Sequence, residues 1–499
     1  MDPQQIDDDN SEGPTKSVWR YAMASRAHIV VDAAAYFELM HEAMLKAQQR
    51  IFLIGWDFDS RIRLGSGRRW WDLPRKDRFP ARLGAFVVWL VKRTPTLQVR
   101  VLKWNFGALK FIFRGTMIID LIRWFITPGI DFKFDSAHPL GCSHHQKIVV
   151  IDDHFAVCGG IDMTSKRWDT PQHLEDDDRR RFYGRLYAPW HDLTMLLEGD
   201  AARALGSLGR RRWRQAGGTP LKACVPQVES PWPDRLHAEF RNVEVGFART
   251  RAAYRDLGEL REIEALYVEQ IGRAKRFIYA ESQYFASRRI AEAIAEKLAQ
   301  PGPPEIVIIN PLSAEGWLEQ TAMDGARVRL LHAIAENDHA QQFRIFTPLA
   351  SGGTPIYVHA KMMIVDDEIV RIGSANMNNR SMGLDSECDV FIDTARPANR
   401  DAGGAITRLR HRLLAEHCGL EVDQMVELLD HHGSMIDAIN AAPMKGKHLA
   451  PFVLRPLTDT EKAVADSTLL DPERPEELFE PIGRRRGLFR RGGILRRPV

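Results

Sequence analysis

The chain has 499 residues, more than a single ordinary hydrophobic core organises, so two or three domains are expected. Its composition, 44% hydrophobic and 27% charged, excludes disordered and fibrous classes, and no uncharged apolar stretch reaches the length of a membrane span. The net charge of +3 comes from 69 basic and 66 acidic residues, and seven arginines with no acid lie between 484 and 499, so the body has no bulk basic character for binding nucleic acid.

The opening stretch, MDPQQIDDDNSEGPTK, is polar and acidic and lacks the basic end and apolar run of a secretory signal. The five cysteines form no C-x-x-C pair, which argues against a disulfide scaffold or zinc knuckle and for a reducing, cytoplasmic setting. A helix is expected over 36–49, followed by an apolar strand (RIFLIGWDFD), a helix over 81–93, a strand over 97–105 and a helix over 108–126. In that last helix Lys110, Arg114, Asp120 and Arg123 cover about half the circumference, which fits a core helix or a surface helix lying on lipid. A short strand near 131 follows. A Pro- and Gly-rich stretch over 210–235 reads as a linker. The same order then repeats: helix 260–275, strand 276–285, helix 288–300, strand 305–311, helix 315–336 and strand 342–348. Two short helices follow 415, and the chain ends in a charged, Pro-rich segment with a basic tail able to touch anionic lipid.

Strands alternating with helices give an α/β class with two lobes, each a mostly parallel sheet flanked by helices. The lobes are expected over 30–200 and 245–415, with a polar segment over 1–30, a linker over 200–245 and C-terminal helices and tail over 416–499.

Each copy ends in the same phrase, SHHQKIVVIDD at 143–153 and YVHAKMMIVDD at 357–367. His145, Lys147 and Asp152 recur as His359, Lys361 and Asp366, 214 positions later. On a strand, residues two apart share a face, so each His and Lys project together. An imidazole that attacks or transfers a proton, beside an ammonium that holds anionic oxygens, suits a phosphoryl group. A turn and second strand follow each phrase; Asp162 and Asn376 both stand seventeen after their His, and Gly159-Gly160 matches Gly373-Ser374.

The double His-x-Lys-x-x-x-x-Asp pattern resembles the phospholipase D superfamily. The flanks HHQKIVVID…GGIDM…RWD and YVHAKMMIVDDEIVRIGSANMNNRSM…DSE resemble its eukaryotic-type branch, in a compact, bacterial-style form. The strand IYAESQYF resembles that branch's Ile-Tyr-Ile-Glu-Asn-Gln-Phe-Phe, with Ser282 where Asn is usual. The resemblance runs over roughly 35–415.

It implies pseudo-twofold lobes with their sheets packed together and both His-Lys pairs facing one cleft at the lobe interface. His145 would attack phosphorus and form a phosphohistidine; His359 would serve as acid, then base. Dividing the displacement into two steps lowers each barrier, and the two roles need pKa values pushed apart. Lys147 and Lys361 would hold phosphate oxygens, with Ser374 and Asn376 beside them. Asp162 belongs to the same substrate-binding group; a carboxylate cannot donate to phosphate unless protonated, so it is expected to orient Lys or His. Glu387 matches the family carboxylate that orients the imidazole of His359. Asp169 is the chosen counterpart for His145, with the acidic run 175–178 as competitor. Asp152 and Asp366 complete the catalytic motif and are expected to anchor turns.

No metal or cofactor is expected. The implied activity is phosphatidylcholine-type hydrolysis to phosphatidic acid, with alcohol transfer, by a monomer acting on phospholipid at a membrane surface. A cardiolipin synthase-type phosphatidyltransferase is the alternative, and a nuclease fits the slightly acidic body less well.

Overall fold

The computed structural model describes residues 14–65, 79–104, 117–227, 229–313 and 317–453. The opening stretch, the first part of the 108–126 helix and the basic tail lie outside the described residues.

The first lobe carries β1 (Arg20–Val31), β2 (Arg50–Gly55), β3 (Gln98–Trp104), β4 (Ile130–Asp135), β5 (Ile148–Ile151) and β6 (Phe155–Gly159). The short strands β7 (Arg181–Phe182), β8 (Arg185–Leu186) and β9 (Trp190–His191) precede β10 (Leu193–Gly199). The second lobe carries β11 (Phe240–Arg251), β12 (Leu260–Arg261), β13 (Phe277–Ser282), β14 (Glu305–Ile309) and β15 (Phe343–Leu349). Its remaining strands are β16 (Tyr357–Val358), β17 (Lys361–Val365), β18 (Ile369–Gly373), β19 (Glu387–Asp393) and β20 (His448–Pro451).

Sixteen of these form one sheet, in the order β20-β15-β14-β13-β17-β18-β19-β11-β1-β10-β6-β5-β2-β3-β4, with β12 paired to β11. The order reads nearly the same from either end, and the pseudo-twofold falls between β1 and β11. Pairing is parallel at the flanks, in β2·β3·β4 and β13·β14·β15, where helices return the chain. Through the middle it is antiparallel, including the β1·β11 join. The continuous apolar runs FLI in β2 and IVII in β14 suit strands covered on both faces.

Helices Ala33–Leu45 and Leu83–Arg93 cover the first flank; Glu262–Arg273 and Arg288–Leu298 cover the second. The first of these buries Tyr36, Phe37, Met40 and Met44, the i, i+3, i+4 stripe of a core-facing helix. A third core lies between the lobes, where Cys158, Met195 and Leu197 meet Ile372, Cys388 and Val390. There the Cys158 thiol donates to the Cys388 carbonyl at 3.3 Å. The expected packing of two sheets is therefore a single sheet folded back on itself.

Two expectations shift. Residues 20–30, placed in the polar N-terminal segment, belong to the central strand β1, because RYAMASRAHIVV pairs on both edges although its polar residues mask the pattern. The expected linker over 210–235 begins inside helix Asp200–Gln215, and Trp232 within it is buried. The helix Met117–Phe125 buries Met117 and Trp124 and turns Ile119, Ile122 and Phe125 outward, Phe125 being 91% exposed. Among the described residues, no helix is long and apolar enough to cross a membrane.

Candidate active site

Each motif sits at the start of a hairpin, β5–β6 or β17–β18, in a central part of the sheet. Two positive φ values close each turn, at Asp152 and Asp153 (54° and 51°) and at Asp366 and Asp367 (55° and 58°). This is the turn geometry that matches strand twist, and Asp tolerates it. The Asp152 carboxylate accepts backbone N–H groups of Gln48, Gln49 and Arg50 at 2.6–2.8 Å, and Asp366 accepts those of Lys275, Arg276 and Phe277 at 2.8 Å. Each motif Asp thus fastens its hairpin to the head of β2 or β13. Asp153 pairs with Arg210 and Asp367 with Arg410, fixing the turns to matching helices.

His145 and Lys147 lie just ahead of β5, His359 just ahead of β17 and Lys361 at its start. The lobes then exchange supports. The His145 N–H donates to the Ser386 carbonyl at 2.9 Å, and the His359 N–H donates to the His191 carbonyl at 2.8 Å. The rings do the same: His145 Nδ1 lies 3.0 Å from Glu387 Oε1 and 3.0 Å from the Ser374 carbonyl, while His359 Nδ1 lies 2.7 Å from Asp192 Oδ2. With Nδ1 so engaged, Nε2 of each ring is the atom available for chemistry.

Glu387 therefore orients His145 across the lobe interface rather than His359 in its own repeat, and Asp192 orients His359. The sheet register explains the pairing. Thr194 lies opposite Gly159 and Asp389 opposite Gly373, so Asp192 and Glu387 occupy equivalent places two residues earlier. Glycine is required beside this carboxylate: a Cβ on Gly160 would stand 2.0 Å from Asp192 Oδ1. Asp169, expected beside His145, is elsewhere. It accepts from the Trp190 N–H at 2.9 Å and from His173 at 3.0 Å, with Arg180 at 3.4 Å, because its loop folds under β9. Three of the competing acids are engaged elsewhere: Glu175 on Gly352 and Thr354 of the second lobe, Asp177 on Arg179 and Asp178 on Arg181.

Lys147 Nζ donates to the His145 carbonyl at 2.8 Å and lies 3.5 Å from Asp162 Oδ2. Lys361 Nζ donates to the His359 carbonyl and to Gln283 Oε1, the latter at 3.0 Å. An ammonium has three donors, so Lys361, with two engaged, and Lys147, with one, each keep capacity for a phosphate oxygen. Ser374 donates its hydroxyl to Glu387. Asn376 Oδ1 is buried without a hydrogen-bond partner. Arg380 forms an ion pair with Asp385, and His144 is held by Asp135 and Ser386. Trp56 meets the His145 ring edge-on at 6.2 Å; Trp190 lies 5.1 Å from the His359 ring and carries Arg167 on its face.

Burial, then the two lysines, hold His145 well below the usual histidine range. Burial, then Lys361, Arg167, Lys147 and His145, do the same to His359. Both lysines thus lower both rings. Burial pushes Glu387 up to about 8 against Lys147 and Ser374, and Asp192 up to about 7 against Lys361. Lys361 is lowered to about 7 by burial, opposed by Asp192. A buried His-carboxyl pair in such surroundings shares one proton along its hydrogen bond, and an entering anion favours the imidazolium.

Fold and site together define a duplicated α/β protein with two His-Lys pairs braced across a pseudo-twofold. The chain belongs to the phospholipase D family, a family of phosphodiesterases and phosphatidyltransferases: the family model described as Phospholipase D matches residues 131–293 and 334–461. It is 25% identical over 406 residues to phospholipase D alpha 1 of Carica papaya, covering 57% of this chain and 50% of that protein. It is 27% identical over 385 residues to phospholipase D1 of Schizosaccharomyces pombe, covering 56% of this chain and 28% of that protein. The chain thus spans half or less of these curated relatives. Among solved structures, phosphatidylserine synthase of Haemophilus influenzae Rd KW20 is similar in fold, with a TM-score of 0.54 and 12% identity over 88% of this chain and 100% of that one.

Proposed function

We propose that the chain is a phospholipase D that hydrolyses phosphatidylcholine-type glycerophospholipid to phosphatidic acid and free headgroup, and transfers the phosphatidyl group to alcohols. The observation that carries this reading is the exchange of carboxylates, Glu387 on His145 and Asp192 on His359, which sets two imidazoles for one reaction.

In the first step His145 Nε2 attacks phosphorus, the P–O bond to the headgroup breaks, and the proton on His359 Nε2 passes to the departing oxygen. In the second, His359 takes a proton from water or an alcohol, whose oxygen attacks phosphorus as the P–N bond breaks. Lys147 and Lys361 hold the non-bridging oxygens, where developing charge is greatest. His145 is assigned as nucleophile by family likeness; the two pairs are otherwise near-equivalent. The outward Ile119, Ile122 and Phe125 support contact with a lipid surface. One chain supplies both halves, so a monomer suffices.

The test is incubation with labelled phosphatidylcholine, phosphatidylglycerol or single-stranded DNA, each with and without ethanol. Phosphatidic acid and phosphatidylethanol are the expected products. Cardiolipin from phosphatidylglycerol would replace this reading with a lipid synthase, and DNA cleavage with inert lipids would reject both. His145→Ala and His359→Ala are each expected to lower turnover by on the order of 10⁴-fold or more; near-native turnover in either contradicts the shared site.

A further inference from the structure

Beneath the His359 side of the site lies a second cluster that the reaction does not use. Asp32 follows β1, His173 lies in the loop after Asp169, His191 ends β9, and Glu416 projects from helix Gly403–Cys418. The side chains of Asp32, His173 and His191 are fully buried, and that of Glu416 is 5% exposed. Their ligating atoms all fall within 4.8 Å of one another.

Each imidazole approaches both carboxylates, Asp32 presenting a different oxygen to each ring. His173 Nε2 is 3.5 Å from Asp32 Oδ2 and 3.2 Å from Glu416 Oε1. His191 Nδ1 is 3.4 Å from Asp32 Oδ1 and 3.0 Å from Glu416 Oε1. A tetrahedron with metal–ligand bonds of about 2.1 Å has ligand–ligand edges of about 3.4 Å. Two of these groups also have unspent polar atoms: His191 Nδ1 and Asp32 Oδ2 are buried without a hydrogen-bond partner. His191 Nδ1 is within reach of Glu416 yet out of hydrogen-bond alignment with it, whereas His173 Nε2 is hydrogen-bonded to the same Glu416 oxygen.

The outer shell has the same character. The far nitrogen of each imidazole is held by a carboxylate, His173 Nδ1 by Asp169 Oδ2 at 3.0 Å and His191 Nε2 by Glu281 Oε2 at 2.7 Å. Such carboxylate–histidine pairs fix the tautomer that presents a lone pair to a metal. An entry path exists: a groove of 750 Å³ opens on Glu416 beside Pro171, Gln172 and Lys447.

We propose that Asp32, His173, His191 and Glu416 form a tetrahedral site for a divalent transition metal of the Zn²⁺ type, closed to substrate and structural in role. Histidine and carboxylate donors at this count and spacing suit Zn²⁺, whereas Ca²⁺ and Mg²⁺ take more oxygen ligands. The site joins the first lobe to the helix after β19. It also stands one residue from the catalytic machinery: Asp32 Oδ1 accepts the Asp192 N–H at 3.2 Å, and the His191 carbonyl accepts the His359 N–H. A metal here holds the Asp192–His359 pair in place without touching substrate.

The test does not depend on lipid turnover. Elemental analysis of the purified full chain is expected to find about one equivalent of metal, the stoichiometry of a single closed site. Chelator-treated protein is expected to take up Zn²⁺ stoichiometrically and to give the intense visible bands of tetrahedral Co²⁺ on cobalt addition. Glu416→Ala should remove this uptake, and Asp169→Asn should weaken affinity about 10–100-fold through His173. Unaltered native protein with neither retained metal nor Zn²⁺ or Co²⁺ uptake would overturn the proposal and leave the cluster an ion network balanced by protons. Octahedral Co²⁺ spectra, or uptake undiminished in Glu416→Ala, would also overturn it.

Discussion

Glu387 stands 28 residues after His359 and grips His145 instead. Its equivalent, Asp192, is 47 residues past His145 and grips His359. A carboxylate that fixes an imidazole's tautomer and steadies its charged form contributes chiefly to turnover. Asp192→Asn and Glu387→Gln are therefore expected to lower kcat by on the order of 10²–10⁴-fold with little change in KM; steady-state kinetics on a soluble phosphodiester checks this, and a pure KM effect would contradict it. The pH dependence follows from the same residues. Burial raises Asp192 to about 7, so the Asp192–His359 pair holds its extra proton below that pH and loses it above. Lys361, lowered to about 7, likewise keeps its charge below and loses it above. Both changes have one sign, and kcat/KM is expected to fall as pH rises through about 7; a profile flat across that range would count against the assignment. The four His and Lys positions were legible in the sequence because both repeats preserve the spacing. Asp192 was not, since a lone acid in PWHD has no mark of its own. Its one available signal was its place at the head of an apolar strand, LTMLLEG, as Glu387 heads ECDVFID.

At the scale of elements, the two hairpins are the rigid parts. The motif Asp of each accepts three backbone N–H groups from the chain entering the neighbouring strand. Hydrogen bonds to a charged acceptor are individually worth more than neutral ones, and truncation leaves three donors poorly satisfied. Asp366→Ala is expected to destabilise the fold by about 3 kcal/mol or more, read as a lower urea midpoint; stability within about 0.5 kcal/mol of the parent would show that the turn is held by other contacts. The sequence revealed the flanking β–α units through strand-length apolar runs and helical stripes. It concealed the central strands β1 and β11, whose Arg, Ser, Asn and Glu residues interrupt the alternation; their identity comes from pairing on both edges, which is set by the tertiary structure. Asp169 went astray for a related reason: the loop between β6 and β9 has no periodicity, and only the fold shows that it turns beneath β9 and away from His145.

For the whole molecule, the duplication is what makes the site. Neither motif histidine is paired with a carboxylate of its own lobe: His145 leans on Glu387, His359 on Asp192, and each motif backbone is hydrogen-bonded across the interface. A sheet continuous through β1·β11 and a shared core between β6·β10 and β18·β19 keep that exchange in register. The central claim is that both pairs act on one phosphorus through a covalent phosphatidyl-histidine. The most direct measurement is rapid quenching during turnover of a short-chain phosphatidylcholine, followed by peptide mass spectrometry of the full chain. A phosphatidyl adduct on His145 that forms and decays with turnover, and accumulates when Asp192→Asn slows its breakdown, is the expected result. Turnover with no adduct on either His145 or His359 would contradict the account.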